Sequence, residues 1–210
     1  MTTDGQRHAP TIDDTLDFVN TLELSEKGSI EHLGTLDAAL DWLVERRLLR
    51  PDAASAERRR AGLGRGSASR LAGIHRLRDA LREVADAVAV ERPADPDAVD
   101  AVNRTLRARE VIELAPAPDG ISVGDRDAVD AVGDALARLV EPLAETVESG
   151  RTDRLRVCEN ATCRWVFFDR SRGGHRRWCD MRTCGNRVKA ARHRAKLRES
   201  QASAEGDVRA

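Results

Sequence analysis

The sequence predicts a mainly α fold of the α+β type, in which a helical body with one β-hairpin precedes a small C-terminal module. Aromatic residues make up only 3% of the chain and hydrophobic residues 40%. A core built mainly from Leu, Val and Ala favours helices over a β-sandwich. Apolar residues also recur at helical spacing through most of the body, whereas all four cysteines lie together near the C-terminus.

The sequence of the first part of the body predicts two helices and a connector. After a loose tail over 1–10, a helix begins at Ile12. Its apolar stripe is Ile12, Leu16, Val19 and Leu22. A second helix runs from Thr35, its N-cap, to Leu49, because the residue before Pro51 disfavours helical geometry. Residues 52–66 are rich in Ala, Arg, Gly and Ser and predict a mobile connector or a short weak helix.

The second part of the body predicts three helices and a hairpin. The clearest long helix covers about 67–92, and the pair at 95–96, Asp-Pro, begins the next one. A β-hairpin follows, with its turn at 116–120. Its strands carry Val111, Ile112 and Leu114, then Ile121 and Val123. The last body helix spans about 126–149, and Gly150 ends it.

The net charge of −1 hides a strong asymmetry between the two ends of the chain. Residues 151–198 carry 15 Lys and Arg against 4 Asp and Glu, a net charge of +11. The rest of the chain therefore carries 20 basic and 32 acidic side chains, a net charge of −12. A basic module on an acidic carrier indicates a polyanion-binding protein, with a solvated basic tail as the alternative.

The location of the protein is predicted from two further features. No stretch approaches the roughly 18 consecutive apolar residues of a membrane helix, and the first residues are polar, without the apolar core of a secretion signal. We therefore expect a cytoplasmic protein with no membrane partner. In that reducing compartment, clustered cysteines are more often metal ligands than disulfides.

The cysteines follow the pattern C-x4-C-x15-C-x4-C, at Cys158, Cys163, Cys179 and Cys184. Two pairs of thiolates joined by a short loop can converge on a tetrahedral zinc ion, although an iron–sulfur cluster, disulfides or free thiols remain alternatives. A module this small needs the metal to fold. We expect a strand at 165–169, a turn at 171–175 and a small aromatic core around the metal. That core is Trp165, Phe167, Phe168 and Trp178.

The chain after the last cysteine predicts a basic helix over 186–198. Such a helix, anchored by the metal, can lie in a major groove or along phosphates. Arginine outnumbers lysine here, and its guanidinium group suits both phosphate and guanine. The predicted nucleic-acid-binding residues are Arg176, Arg177, Arg182, Asn186, Arg187, Lys189, Arg192 and Arg194. Asn186 either contacts a base edge or caps the helix.

This module resembles the CGNR-type zinc finger. The resemblance rests on the literal tetrapeptide Cys184-Gly-Asn-Arg187, the paired cysteines and the run Trp178-Cys-Asp-Met181. Such fingers follow an alanine-rich helical domain described as a stress-induced transcription regulator, which the segments 16–22 and 77–81 resemble. The resemblance implies a bacterial regulator that binds DNA through the finger. With the boundary that Gly150 marks, the predicted domains are a body over 1–150, a finger over 151–198 and a flexible tail over 199–210. The Gly-Gly turn at 173–174 departs from the family pattern.

The body also holds polar residues that could line a small-molecule pocket. They are Asn20, Thr21, Trp42, His75 and Arg78. Satisfied internal hydrogen bonds or surface positions are the alternative interpretation of all five. We identify no catalytic residues and expect no enzyme, because the sequence has no phosphate loop or nucleophile elbow, and four thiolates leave a zinc ion no open position.

The sequence thus predicts a zinc-dependent transcription regulator whose finger contacts double-stranded DNA and whose body senses a small-molecule effector or forms a homodimer. An RNA- or ribosome-associated zinc protein is the first alternative, because charge alone does not distinguish RNA from DNA. A protein-docking finger, with the acidic body folded back on it, is the second.

Overall fold

The computed structural model describes residues 9–25, 28–62, 66–109, 113–117, 120–124 and 130–207. The predicted mainly α class is confirmed. The helices are α1 Ile12–Val19, α2 Leu36–Glu45, α3 Pro51–Gly62, α4 Gly66–Ala89, α5 Pro96–Leu106, α6 Ala131–Glu148 and α7 Asn186–Asp207. Three antiparallel strand pairs accompany them: β1 Leu22–Ser25 with β2 Gly28–Glu31, β3 Glu113–Ala117 with β4 Gly120–Gly124, and β5 Leu155–Val157 with β6 Val166–Phe168.

Side-chain caps fix the helix starts that the sequence predicts. The Thr35 hydroxyl accepts a hydrogen bond from the Ala38 amide at 3.1 Å, which confirms Thr35 as the N-cap of α2. The Asp95 carboxylate accepts the Asp97 amide at 2.8 Å, and Pro96 occupies the first position of α5. At the end of α6, Gly150 adopts a left-handed conformation with φ of +67°, as its predicted role requires.

Helix α1 is shorter than its stripe predicts. It ends at Val19, and Leu22 instead begins the hairpin β1–β2, which the sequence did not predict. Helix α2 is also shorter, because Arg47 takes a left-handed φ of +56° and turns the chain. That turn buries Leu48 and Leu49 in the core.

Of the two interpretations of 52–66, the short helix is confirmed. Helix α3 starts at Pro51, ends at Gly62 and buries Ala54 and Ala61. The predicted flexible tail over 199–210 is a correction, because α7 continues through Asp207. Both segments have a weak apolar pattern, where packing or a neighbouring element decides the conformation.

The hairpin β3–β4 confirms the predicted element, and its described strands reach further than predicted. Pro116 pairs with Ile121 and Ala117 with Gly120, so the strands extend into the segment predicted as the turn. Val111 and Ile112 lie outside the described residues, as do positions 1–8 of the predicted tail and positions 126–129 of the predicted last helix.

One hydrophobic core joins the body to the cysteine-containing module. Its centre lies among α1, α4 and α6, where Leu81 and Leu139 have no exposed surface. Leu155, Val166 and Phe168 of the strand pair β5–β6 belong to the same buried cluster. The C-terminal module is therefore packed against the body rather than joined to it only by a linker.

Candidate metal centre and basic surface

The four predicted cysteine ligands converge on one point. All four sulfur atoms lie within 4.8 Å of one another, and the Sγ atoms of Cys163 and Cys184 each lie 3.7 Å from that of Cys179. A tetrahedron with zinc–sulfur bonds of roughly 2.3 Å has sulfur–sulfur edges of about 3.8 Å. The donor set and its spacing therefore fit a tetrahedral zinc ion.

Two short turns place the first pair of thiolates. The Cys158 amide donates to the Trp165 carbonyl at 2.8 Å, and the Cys163 amide donates to the Asn160 carbonyl at 2.8 Å. The Asn160 side chain reaches across to the second pair, with its amide nitrogen 3.5 Å from the Cys184 sulfur. Arg164 then adopts a left-handed φ of +56°, which directs the chain into β6.

A π-helical turn over Met181–Gly185 places the second pair of thiolates. The Asp180 carboxylate caps this turn, accepting the Arg182 amide at 2.6 Å and the Thr183 amide at 3.1 Å. Gly185 allows close packing here, because a Cβ at that position would displace the Met181 sulfur and crowd the Trp178 ring. The turn leads directly into α7, so the helix begins two residues after the metal ligand Cys184.

The thiols affect one another's ionisation. A hydrogen bond from Cys179 lowers the pKa of Cys163 to about 5. That same hydrogen bond, followed by burial, raises the pKa of Cys179, and burial raises the pKa of Cys158. Four thiolates this close repel one another strongly, and a divalent cation removes that penalty.

The aromatic residues do not form the single cluster around the metal that the sequence predicts. Phe168 is buried in the body core. Phe167 instead lies under the Arg176 guanidinium, 5.0 Å from its ring centroid, and Trp178 lies 5.1 Å from the guanidinium of Arg177. The cause is the alternation of strand side chains, which sends neighbouring residues of β6 to opposite faces.

Asp169 closes the loop between β6 and the second cysteine pair. Its buried carboxylate accepts the amides of Ser171 at 2.9 Å and Arg176 at 2.8 Å. Burial acts to raise the pKa of this carboxyl, but the hydrogen bonds outweigh it and lower the pKa to about 2. The predicted turn at 171–175 is present, and Gly174 takes a φ of +64° beside the Arg154 guanidinium.

The predicted nucleic-acid-binding residues form two groups with different surroundings. In the first group, Arg177 forms an ion pair with Glu159, with Nε 2.7 Å from a carboxylate oxygen, and Arg176 donates to the Cys179 carbonyl. These two arginines stabilise the metal-binding loops. A nucleic acid would have to compete with Glu159 for Arg177.

The second group is exposed on α7 and on the turn that precedes it. Nearly every residue of α7 up to position 200 is exposed, with Val188 half-buried. In the part of the chain that the structure describes, no acidic side chain pairs with the following basic residues: Arg187, Lys189, Arg194, Lys196 and Arg198. Arg182 is 91% exposed beside the π-helical turn, and Arg192 is exposed on α7.

Asn186 does not cap the helix, whereas its contact with a base edge stays a prediction. Its side-chain amide donates to the Arg182 carbonyl at 3.1 Å, and the capping role belongs to Asp180. Sequence reasoning missed both Asp180 and Asn160. Each follows a cysteine ligand by one or two positions, where Asp and Asn commonly form local turns with the backbone, and that signal could have identified them.

The predicted pocket residue Asn20 connects the body to the C-terminal module. Its side chain donates to the Val166 carbonyl at 2.8 Å and accepts the Val166 amide at 3.2 Å. Arg82 on α4 donates to the same Asn20 oxygen at 3.1 Å. Asn20 is buried and fully engaged in these internal bonds, which is the alternative interpretation that the sequence left open.

The other predicted pocket residues are also held internally. Buried Arg78 forms an ion pair with Glu31 at 2.6 Å and donates to the Thr21 hydroxyl at 3.2 Å. The His75 ring nitrogen lies 2.8 Å from the Leu33 carbonyl. Trp42 packs against Phe18, with ring centroids 5.6 Å apart. Glu31 lies on strand β2, which the sequence did not predict. No sequence pattern therefore marked it as the partner of Arg78.

The fold and the site together define a helical protein with a fused structural zinc finger. The CGNR zinc finger profile matches residues 154–197. A second profile, described as "Putative stress-induced transcription regulator" and named ABATE, matches residues 15–153. The chain belongs to this ABATE family, and the predicted resemblance is confirmed. No curated protein matches the chain significantly.

The zinc assignment follows from both observations. Cys158, Cys163, Cys179 and Cys184 are the zinc ligands, and the ion is structural because four thiolates fill its tetrahedral coordination. Among the described residues, no helix is both long enough and apolar enough to cross a membrane. The chain is thus a zinc-binding member of a family of regulators.

Proposed function

We propose that the protein is a cytoplasmic transcription regulator whose zinc finger binds double-stranded DNA through α7. The observation that carries the proposal is the contrast between its two sets of basic residues. Most of the described body arginines are engaged by acidic partners, as in the pairs of Arg58 with Asp37, Arg92 with Glu83 and Arg138 with Asp134. Among the described residues, no acidic side chain pairs with Arg187, Lys189, Arg194, Lys196 or Arg198 of α7.

The shape of α7 supports the same proposal. Its 22 residues give a rod about 33 Å long, anchored at one end by Cys184. Unpaired guanidinium and ammonium groups along such a rod can neutralise phosphates and release counterions. Arg187 is the first basic residue of α7 and follows the π-helical turn that carries Cys184, so it is the best candidate for a contact with a base edge or a phosphate.

Replacing Arg187 with Glu tests this proposal. We expect Arg187→Glu to weaken binding of zinc-loaded protein to random duplex DNA about tenfold or more, and to lower the slope of log affinity against log salt by about one. The measurement is fluorescence anisotropy at several salt concentrations, with zinc content determined on the same samples.

The matched control is Arg59→Glu, the same charge reversal at an exposed position of α3. It should bind DNA as the unmodified chain does. Normal duplex binding by Arg187→Glu with full zinc content would overturn the assignment of α7. Stronger binding to a matched RNA duplex or single strand would favour the RNA-associated alternative.

The body is proposed to sense a small-molecule effector or to form a homodimer, and the protein is proposed to have no enzymatic activity. A saturated thiolate site supports the last point, because it has no position for a catalytic water. The alternative in which the acidic body folds back on the finger receives no support from α7. In the described part of the chain, its five unpaired basic residues form no ion pairs with body carboxylates.

A further inference from the structure

A cleft of about 580 Å³ lies among α3, α4, α5 and the start of α6. Its described lining includes Ala61, Gly73, Ala101, Ala108 and Gly133, and these small residues leave the space between the helices unfilled. None of the five side chains predicted to line a ligand pocket is part of it. The volume lies within the usual range for small-molecule sites.

The floor of the cleft is apolar. Ile74 and Leu77 of α4 and Leu136 of α6 line it, and all three side chains belong to the buried core. An aliphatic or aromatic group placed on this floor would be removed from water on one side, which is favourable. The floor therefore favours a ligand with an apolar portion.

The walls of the cleft are basic. Arg60, Arg70, Arg76 and Arg104 all line it, whereas Glu57 is the only acidic residue of its described lining. This concentration of positive charge is unusual because the chain outside 151–198 carries a net charge of −12. Basic side chains gathered in an acidic body indicate an anionic ligand.

The four arginines differ in how much of their charge is available. Arg70 is neutralised, with both terminal nitrogens on the Asp130 carboxylate at 2.9 and 3.0 Å and Nε on Glu57 at 2.9 Å. Arg60 shares the Glu57 carboxylate at 3.3 Å. Arg76 and Arg104 have no ion pair with any described acidic residue.

The position of Arg76 also points toward the cleft. A Cβ built on Gly73 would lie 3.8 Å from a terminal nitrogen of the Arg76 guanidinium. Arg76 therefore lies back over Gly73, which is itself part of the lining. Glycine at this position keeps the cleft open beside an unpaired cation.

We propose that this cleft binds a small organic anion, with its carboxylate or phosphate held by Arg76 and Arg104 and its apolar portion on Ile74, Leu77 and Leu136. Guanidinium groups form strong charge-assisted hydrogen bonds with both anionic groups. Arg70 is held by the carboxylates of Glu57 and Asp130. It therefore lines the cleft without contributing the positive charge that attracts the ligand.

The cleft and the finger share helix α4. Its N-terminal half lines the cleft from Gly66 to Leu77, and in its C-terminal half Arg82 bonds to Asn20, which holds β6 of the finger. A ligand in the cleft thus contacts the helix that positions the finger. The role of this ligand as an effector rests on the proposed function. Binding of the ligand to the cleft does not depend on that function.

Calorimetry on the full zinc-loaded chain, without DNA and at constant ionic strength, tests the binding. The probes are octanoate and naphthalene-1-carboxylate, each compared with its uncharged primary amide. We expect at least one acid to bind, and its amide to bind about tenfold more weakly or not at all, because the amide lacks the charge for Arg76 and Arg104. Absence of binding by both acids, or equal binding of acid and amide, overturns the proposal.

Three variants assign the binding to this cleft. Arg76→Gln and Arg104→Gln should each weaken binding of the acid about tenfold. Arg107→Gln, at the C-cap of the helix that carries Arg104 but outside the described lining, is the control and should bind normally. Normal binding by both cleft variants overturns the assignment. Because no DNA is present, these results are independent of whether α7 binds a duplex.

Discussion

Asn20 shows how one side chain can replace a neighbouring strand. Its amide group presents an oxygen and an N–H to the backbone of Val166, at 3.2 and 2.8 Å, as a paired peptide would. Because Val166 and Asn20 are both buried, neither group can exchange these bonds for water. The single residue that ends α1 therefore also holds the first strand residue after the cysteine knuckle.

Replacing Asn20 with Ala should lower the free energy of unfolding by about 3 kcal/mol, because it leaves two buried backbone groups of Val166 without partners. Urea denaturation of the zinc-loaded protein measures the change. The control is Asn103→Ala on α5, which should change stability by less than about 0.5 kcal/mol. Equal stability of Asn20→Ala and the unmodified chain would show that the contact does not hold the finger.

At the scale of elements, α7 depends on the zinc site for its start. The helix has little apolar surface of its own to bury, with nearly all residues through position 200 exposed except half-buried Val188. Isolated helices are marginal in water unless packing or a fixed first turn supports them. In this chain the fixed first turn is the π-helical turn that carries Cys184 and is capped by Asp180.

Removal of zinc with a chelator should therefore unfold most of α7. We expect the helical circular dichroism signal to fall by an amount that corresponds to at most the 22 residues of this helix in a chain of 210. A chain truncated after Gly185 is the control and should lose much less helical signal on chelation. If the full chain kept its helical signal without zinc, the zinc site would not be the support of α7.

The molecule as a whole is one folded unit across its two matched family regions. Those regions meet between 153 and 154, but the hydrophobic core does not stop there, because Leu155, Val166 and Phe168 pack with body residues. The predicted boundary at 150 is therefore a change in composition and charge rather than a break in packing.

A body truncated after residue 153 should be less stable than the full chain, because it loses the apolar contacts of those three residues. Burial of each such side chain contributes about 2 kcal/mol, so we expect a loss on the order of 5 kcal/mol in urea denaturation. A chain truncated after residue 199 retains every one of these contacts and should match the full protein. A body fragment as stable as the full chain would contradict the shared core.

The sequence by itself determined the helical class, several helix starts and the zinc site. Those features depend on local patterns: apolar spacing, the caps Thr35 and Asp95, and two pairs of cysteines with only short segments between them. Local patterns are visible in sequence because the interacting groups lie within a few residues of one another, or because few alternatives exist for four clustered thiols.

Only the tertiary structure decided the rest. The hairpin β1–β2 and helix α3 have weak local signals, and the role of Asn20 depends on a contact 146 positions away. The ion pairs that separate engaged body arginines from the unpaired residues of α7, and the cleft beside Arg76 and Arg104, likewise depend on how distant helices pack. Long-range contacts of this kind depend on how apolar surface from many distant segments is buried together. No short segment of sequence contains that information.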